Sequence, residues 1–310
     1  MITSRFHGVV TVAVVTLLLF CCSCRENIQN WDKTRPYLYE DTKRLVTLVE
    51  DAADLMEKQG TTVFTEFGTR GSRWLEDTYL FIYDLNGTCV FHPITPQLIG
   101  KHLMDFHDMN GKPVIRYLTD IGRRPERDAS GWVFYLWEEG TQFLPRWKSA
   151  YTRKVVTPDG KTYVIGSGSY NLKIEKICVE DIVKKAVELM AAKGKTAAFE
   201  ELRKPGSPFH FLDNYVFVMS IDGHSLVDPA YPTLAGRDLS DFRDAIGRPV
   251  VKEMISKLRT KEEGWVQYLW PKPGASLPSR KLVYIRKITV DGETLIVGSD
   301  FFVATPIWMK

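Results

Sequence analysis

Two halves of this chain carry one pattern, so its fold has to be built twice. Tyr79, Gly87, Pro93, Pro96, Gly100, Asp105, Asp108, Gly111 and Pro113 are each matched 136 positions later, by Tyr215, Gly223, Pro229, Pro232, Gly236, Asp241, Asp244, Gly247 and Pro249. The offset then tightens to 133, where Gly131, Trp132, Tyr135, Trp137, Lys148 and Tyr151 meet Gly264, Trp265, Tyr268, Trp270, Lys281 and Tyr284. At 132, Asp159, Gly160, Gly166 and Ser167 match Asp291, Gly292, Gly298 and Ser299. Small losses of length at loops, with ungapped stretches between them, mark a duplicated unit. A unit this long buries a core of its own, which predicts two domains and not a solenoid.

Hydrophobic residues make up 44% of the 310 and charged residues 25%, a globular balance. The net charge of +3 is spread along the chain with no basic stripe, which argues against nucleic acid as a partner. The N-terminus reads as an export signal: Arg5 and His7, an apolar run from Val9 to Phe20, then Cys21, Cys22, Ser23 and Cys24 before Arg25 and Glu26. Such a run is short for a membrane span and ordinary for a signal-peptide core. Its ending resembles a bacterial lipobox, in which a cysteine becomes the first mature residue and carries the lipid. Ser23 favours Cys24 for that role, and Leu19, three residues earlier, favours Cys22; an uncleaved N-terminal anchor is the alternative to both. Either way residues 1–24 are a targeting segment, and the chain beyond about Asn30 is expected outside the cytoplasm, at a bacterial cell envelope. Cys89 and Cys178 remain in the body, one at an unrepeated position and one in the linker, so buried free thiols are expected instead of a disulfide framework.

Within each unit a helix comes first. Leu45, Leu48, Val49, Ala52 and Met56 share one face before Gly60, as Ile182, Ala186, Leu189 and Met190 do before Gly194, and the second helix is expected to start as early as Asn171 and to serve as the connector. A strand follows at Tyr79 to Tyr83, copied at Tyr215 to Met219, and the turn dipeptides Asn86-Gly87 and Asp222-Gly223 predict a hairpin return. A loop-rich middle holds a short helix near Val114 to Thr119, or Val250 to Leu258. The strand Gly131 to Trp137 places Val133, Tyr135 and Trp137 on one face and Trp132, Phe134 and Leu136 on the other. Gln267 in place of Phe134 predicts that the Trp132 face is the more solvated. Strands through Tyr151 to Val156 and Val164 to Gly166 close the unit, joined by short turns and hence antiparallel. The fold class is α+β: a long helix on an antiparallel sheet of five or six strands, built twice, over residues 32–170 and 171–305.

The Tyr-rich strand with its Asn-Gly turn, His92-Pro93, Pro96 to Gly100, Asp108 to Gly111, Gly131-Trp132 with Tyr135 and Trp137, Lys148 with Tyr151, and Gly166-Ser167-Gly168 with Tyr170 together resemble the single Cache domain family, type 2. These are PAS-like extracellular sensor modules of bacterial chemoreceptors and kinases. The resemblance implies a pocket between the sheet and its covering loops, used for small ligands, often short carboxylates. The second copy departs from the pattern with Asp228 for His92, Asp300 for Gly168 and Phe302 for Tyr170, and a carboxylate at 228 repels an anion.

Lys148 and Lys281 are the leading candidates for holding a ligand carboxylate, since a lysine among rings that exclude water attracts an anion strongly. Tyr79, Tyr135, Trp137 and Tyr151, with Tyr215, Tyr268, Trp270 and Tyr284, are the candidate walls. In a regular strand, residues three apart face opposite sides, so Lys148 and Tyr151 share a pocket only if Lys148 precedes the strand or a bulge intervenes. His92 either donates to an anionic ligand or orients the loop before Pro93. Asp105, Asp108 and Asn110 lack calcium-loop spacing and read as turn chemistry, and no metal, cofactor or catalytic motif is expected. The expected function is an exported, membrane-anchored binding protein that senses or captures a small organic acid for a separate receptor or transporter, without catalysing a reaction; with no output segment after the second repeat, signalling would need that partner. The rival is a structural envelope lipoprotein with no small-molecule ligand.

Overall fold

The computed structural model describes residues 36–140, 144–212, 214–272 and 275–303; the targeting segment with Cys22 and Cys24 lies outside these. Helix α1 (Glu40–Gln59) buries Leu45, Leu48, Val49, Ala52 and Met56, the face read from the sequence. It stops at Gly60, whose φ of 65° lets its N–H turn back to the Met56 carbonyl. A one-turn helix, α2 (Phe64–Phe67), follows.

The first sheet comprises β1 (Leu80–Asp84), β2 (Cys89–Phe91), β3 (Ser130–Trp137), β4 (Arg146–Val156) and β5 (Thr162–Ser169), ordered β2-β1-β5-β4-β3 and antiparallel throughout. Side-chain alternation gives it two apolar faces. Leu80, Ile82, Tyr151, Val155 and Ile165 pack on α1, while Phe81, Tyr83, Val133, Tyr135 and Val164 pack on α3 (Val114–Gly122).

The second domain repeats this plan. Helix α4 (Lys176–Arg203) precedes β6 (His210–Phe211), β7 (Asn214–Tyr215), β8 (Phe217–Ser220) and β9 (Ser225–Val227); α5 (Val250–Thr260) precedes β10 (Glu263–Pro271), β11 (Pro278–Val290) and β12 (Glu293–Phe302). Its main sheet runs β10-β11-β12-β8-β9, the order of the first read from the other edge. The connector starts at Lys176 and not at Asn171; its first helical stretch stops at Gly194, where the backbone leaves helical geometry (φ 76°, ψ 165°), and a second stretch continues the segment to Arg203. Cys89 and Cys178 are buried free thiols.

The Trp132 face is not the solvated one. Phe134 is buried in the second domain's core, its ring 4.9 Å from that of Phe211, and Trp132 donates its indole N–H to the Tyr37 hydroxyl at 3.0 Å. Gln267 is exposed, because among the described residues nothing equivalent covers the second sheet there. The substitution between copies therefore marks the domain interface, which two further contacts hold. The buried Lys112 ammonium donates to the carbonyls of Phe134 and His210, both at 2.7 Å, and Gly206 lies so close to Gly111 that a Cβ would sit 2.4 Å from its carbonyl oxygen. Phe134→Gln, which imports the second copy's residue, is expected to cost about 3 kcal/mol in urea unfolding, since it removes a large ring and buries an amide. A loss below about 1 kcal/mol would show that the domains do not share a core at this point.

Candidate ligand-binding site

Strand alternation decides which candidate residues meet. Tyr79 just before β1, Phe81 from β1, Tyr135 and Trp137 from β3, and Lys148 from β4 converge on the face under α3, together with His92 from the loop after β2. Lys148 stands directly across from Tyr135 in the β3–β4 register. It is 1% exposed, donates to the Tyr79 hydroxyl at 2.7 Å, and its ammonium lies 4.1 Å from the centre of that ring and 5.6 Å from the rings of Phe81 and Tyr170. Among the described residues no carboxylate lies within ion-pair distance of it. Burial of a cation with rings and one hydroxyl for company pushes its pKa down to about 7.

His92 is also buried, and its Nδ1 accepts the Thr95 N–H at 3.0 Å. The imidazole thus orients the loop and, when neutral, carries its proton on Nε2. Burial, followed by the nearby Lys148 charge, holds its pKa down to about 4, so the ring is neutral at ordinary pH. Its centroid lies 5.0 Å from that of Tyr79 and 6.4 Å from that of Trp137. Burial also raises the pKa values of Tyr79 and Tyr135 above the phenol range, so both retain their hydroxyl protons.

Two spaces meet at this cluster. The inner one, among Tyr79, His92, Tyr135, Trp137 and Lys148, holds about 10 Å³, the room of a single water. The outer one is a cleft of about 580 Å³ above Tyr79, Trp137 and Tyr170, lined also by Ile94, Leu98, Phe106 and Met109. Tyr79 and Trp137 border both and so stand between the cleft and Lys148. Tyr170 was not among the sequence candidates for ligand contact, yet it lines the cleft and faces the lysine. Its replacement by Phe302 in the second copy was the available signal.

Tyr151 and Tyr284 do not belong to this face. Strand β4 already begins at Arg146 and pairs without a bulge on both sides, so Tyr151 points opposite to Lys148 and donates to Glu50 Oε1 of α1 at 2.7 Å. Tyr284 turns likewise toward α4 and packs 5.4 Å from Trp265.

In the second domain Tyr215, Tyr268, Trp270 and Lys281 take the equivalent places, with Lys281 across from Tyr268. Lys281, however, is paired: its ammonium lies 2.9 Å from Asp300 Oδ2, and both side chains are buried. Asp228 repeats the loop role of His92, accepting the Tyr231 N–H at 2.9 Å. Burial raises the pKa values of both Asp228 and Asp300.

The aspartates of the middle loop serve as braces. Asp108 accepts backbone N–H groups from Asn110, Lys112 and Leu136, and Asp244 does the same for Ile246, Arg248 and Leu269. Asp105 and Asp241 are exposed and face Arg116 and Lys252.

Comparison with known proteins gives these repeats a family. The Cache domain model dCache_2 matches residues 48–175 and 178–294, one stretch per repeat. The methyl-accepting chemotaxis protein McpP of Pseudomonas putida is 38% identical over 91 residues, which are 29% of this chain and 16% of that protein's length. A solved periplasmic sensor domain of a chemotaxis protein is 29% identical, with a TM-score of 0.33, over 40% of this chain and 88% of its own. A Cache chemosensory domain solved for carboxylic acid recognition is also 29% identical, with a TM-score of 0.34, over 40% of this chain and 86% of its own. With the family model matched across both repeats and over most of its length, the chain belongs to the Cache domain family.

Proposed function

We propose that the first domain binds a small organic carboxylate at Lys148, and that the chain senses or captures this ligand outside the cytoplasm for a separate receptor or transporter. The observation behind the proposal is Lys148 itself, a buried ammonium that lacks a carboxylate partner among the described residues and lies against the Tyr79 ring. Burying a charge without a counter-ion is costly, and an incoming carboxylate offsets that cost. His92 Nε2 and the Tyr79 hydroxyl supply further donors, and the cleft takes the rest of the ligand. The relative's name, a methyl-accepting chemotaxis protein, supports a sensing role, and no reaction is assigned to the chain. Among the described residues no helix is long and apolar enough to cross a membrane, and anchoring by Cys24, Cys22 or an uncleaved N-terminus remains part of the proposal. Serine at both Cys22 and Cys24 would abolish lipid labelling under the lipobox reading.

The structural alternative draws on the second domain, where the chain's own Asp300 already pairs with the lysine. A thermal-shift screen of small organic acids separates the two readings. A ligand that binds only the folded chain raises the melting temperature with concentration. No response to any acid would leave the structural role.

Because burial lowers Lys148 to about 7, pH separates binding from folding. Only the charged amine attracts a carboxylate. Affinity is therefore expected to be level below about pH 7 and to fall above it, by up to about tenfold per pH unit, as a proton has to be taken up on binding. Stability of the ligand-free domain runs the other way. An unfolded lysine keeps its proton to about pH 10.4, so between about 7 and that value the unfolded chain holds more protons, and stability rises with pH. Calorimetry in two buffers of different ionisation enthalpy measures the proton uptake; its absence at about pH 8 would remove the lysine from the site.

A further inference from the structure

Lys148 and Lys281 occupy equivalent places but end on different partners: the Tyr79 hydroxyl at 2.7 Å in the first domain, Asp300 Oδ2 at 2.9 Å in the second. Asp300 arrives from the neighbouring strand. It pairs in register with Val283, as Gly168 pairs with Ala150 in the first domain. Its side chain is fully buried, and the Lys281 ammonium it contacts lies 5.4 Å from the ring centre of Phe302, 5.5 Å from that of Tyr215 and 5.8 Å from that of Trp270. An acid held against an ammonium inside a ring of aromatics is what a bound carboxylate would have to make at Lys148. The first domain cannot make it from within: a Cβ at Gly168 would come within 2.8 Å of Lys148 Cε and 2.9 Å of the Ser149 carbonyl oxygen.

We infer that Asp300 is a built-in carboxylate ligand of the second domain, and that the residue at this one strand position, Gly168 or Asp300, decides whether a domain of this chain takes an anion from outside. The comparison between domains rests on the proposed reading of Lys148, whereas the Lys281–Asp300 pair stands without it. The second domain then holds the ligand-occupied arrangement at all times, and the first takes it up only with ligand. Asp228 reinforces the exclusion, since it adds a second carboxylate facing Lys281.

The test uses the full chain with Lys148→Ala, which silences the first domain, and Asp228→Asn, which keeps the loop acceptor but prevents that carboxylate from re-pairing with Lys281. In this background Asp300→Ala removes a group the size of formate, and Asp300→Gly one the size of acetate. Either is expected to lower the melting temperature by about 10 °C, the scale for breaking a buried ion pair in a domain of this size. Formate is expected to restore stability of the alanine variant with a saturable concentration dependence, and acetate that of the glycine variant, while equal chloride does neither and the parent responds to none of them. A folded alanine or glycine variant that ignores both acids overturns the inference. If neither variant folds, the isosteric Asp300→Asn decides: an undiminished melting temperature overturns the inference, and a drop that formate does not reverse, because the amide fills the space, supports it. The reading of the first domain is judged separately, by whether Lys148→Ala alone abolishes the response of the natural chain to organic acids.

Discussion

Lys148→Ala is expected to weaken the binding of a small organic acid by about 1.5–3 kcal/mol, roughly 10- to 150-fold, while Lys281→Ala leaves that affinity unchanged. The asymmetry follows from the two counter-ions. A ligand carboxylate at Lys148 meets an ammonium that has only a hydroxyl and rings beside it, whereas at Lys281 it would have to displace Asp300, tethered 2.9 Å away, and approach Asp228. The variant is expected to fold, because removing a buried cation that has no ion-pair partner among the described residues removes a desolvation cost along with the side chain. Lys148→Met keeps the volume and isolates the charge. Calorimetry on the three variants, with circular dichroism as the check on folding, is the measurement. Equal losses from Lys148→Ala and Lys281→Ala would mean two equivalent sites, and no loss from either would exclude both lysines from binding.

The doubled pattern made the architecture legible, since each copy corroborated the helix face, the turn dipeptides and the closing strands of the other. The strand containing Lys148 was read too short. The sequence reading starts it at Tyr151, whereas the preceding Arg146 to Ala150 also join the sheet through pairing with β3 and, at Ser149 and Ala150, with β5, which local composition does not report. That extension is why Tyr151 leaves the site, by the same parity rule that the sequence had already imposed. Phe134 was misplaced for a different reason. Its cover comes from Phe211 and α4, more than forty residues away, and a difference between copies shows only that the surroundings differ. Asp300 stood out in the sequence as a departure, but its partner across the strand needed the register. The division into a 10 Å³ inner space and a 580 Å³ cleft is set by ring orientations and was not legible at all.

The other face of β4 supplies the second large effect. Arg153 is buried, its Nε 3.0 Å from Glu50 Oε2, its guanidinium also facing Asp54 at 3.2 Å and Glu57 at 3.4 Å, while Tyr151 donates to the other Glu50 oxygen. One guanidinium thus balances several carboxylates of α1, two of them largely shielded from water. Arg153→Ala is expected to destabilise the first domain by about 3–5 kcal/mol, because the helix acids stay buried after their cation has gone. Arg153→Met with Glu50→Gln should recover part of that loss, since it removes charges of both signs. Ligand affinity is expected to stay within about 0.5 kcal/mol of the natural value in the double variant, because Lys148 lies on the opposite face of the strand and shares no partner with Arg153. Urea unfolding and calorimetry on the same samples test both halves. A stability loss under about 1 kcal/mol in Arg153→Ala would show that the ionic cluster does not anchor α1. A fall in affinity as large as that of Lys148→Ala would show instead that the two faces of β4 act as one unit, and that the helix buttress is part of the binding site.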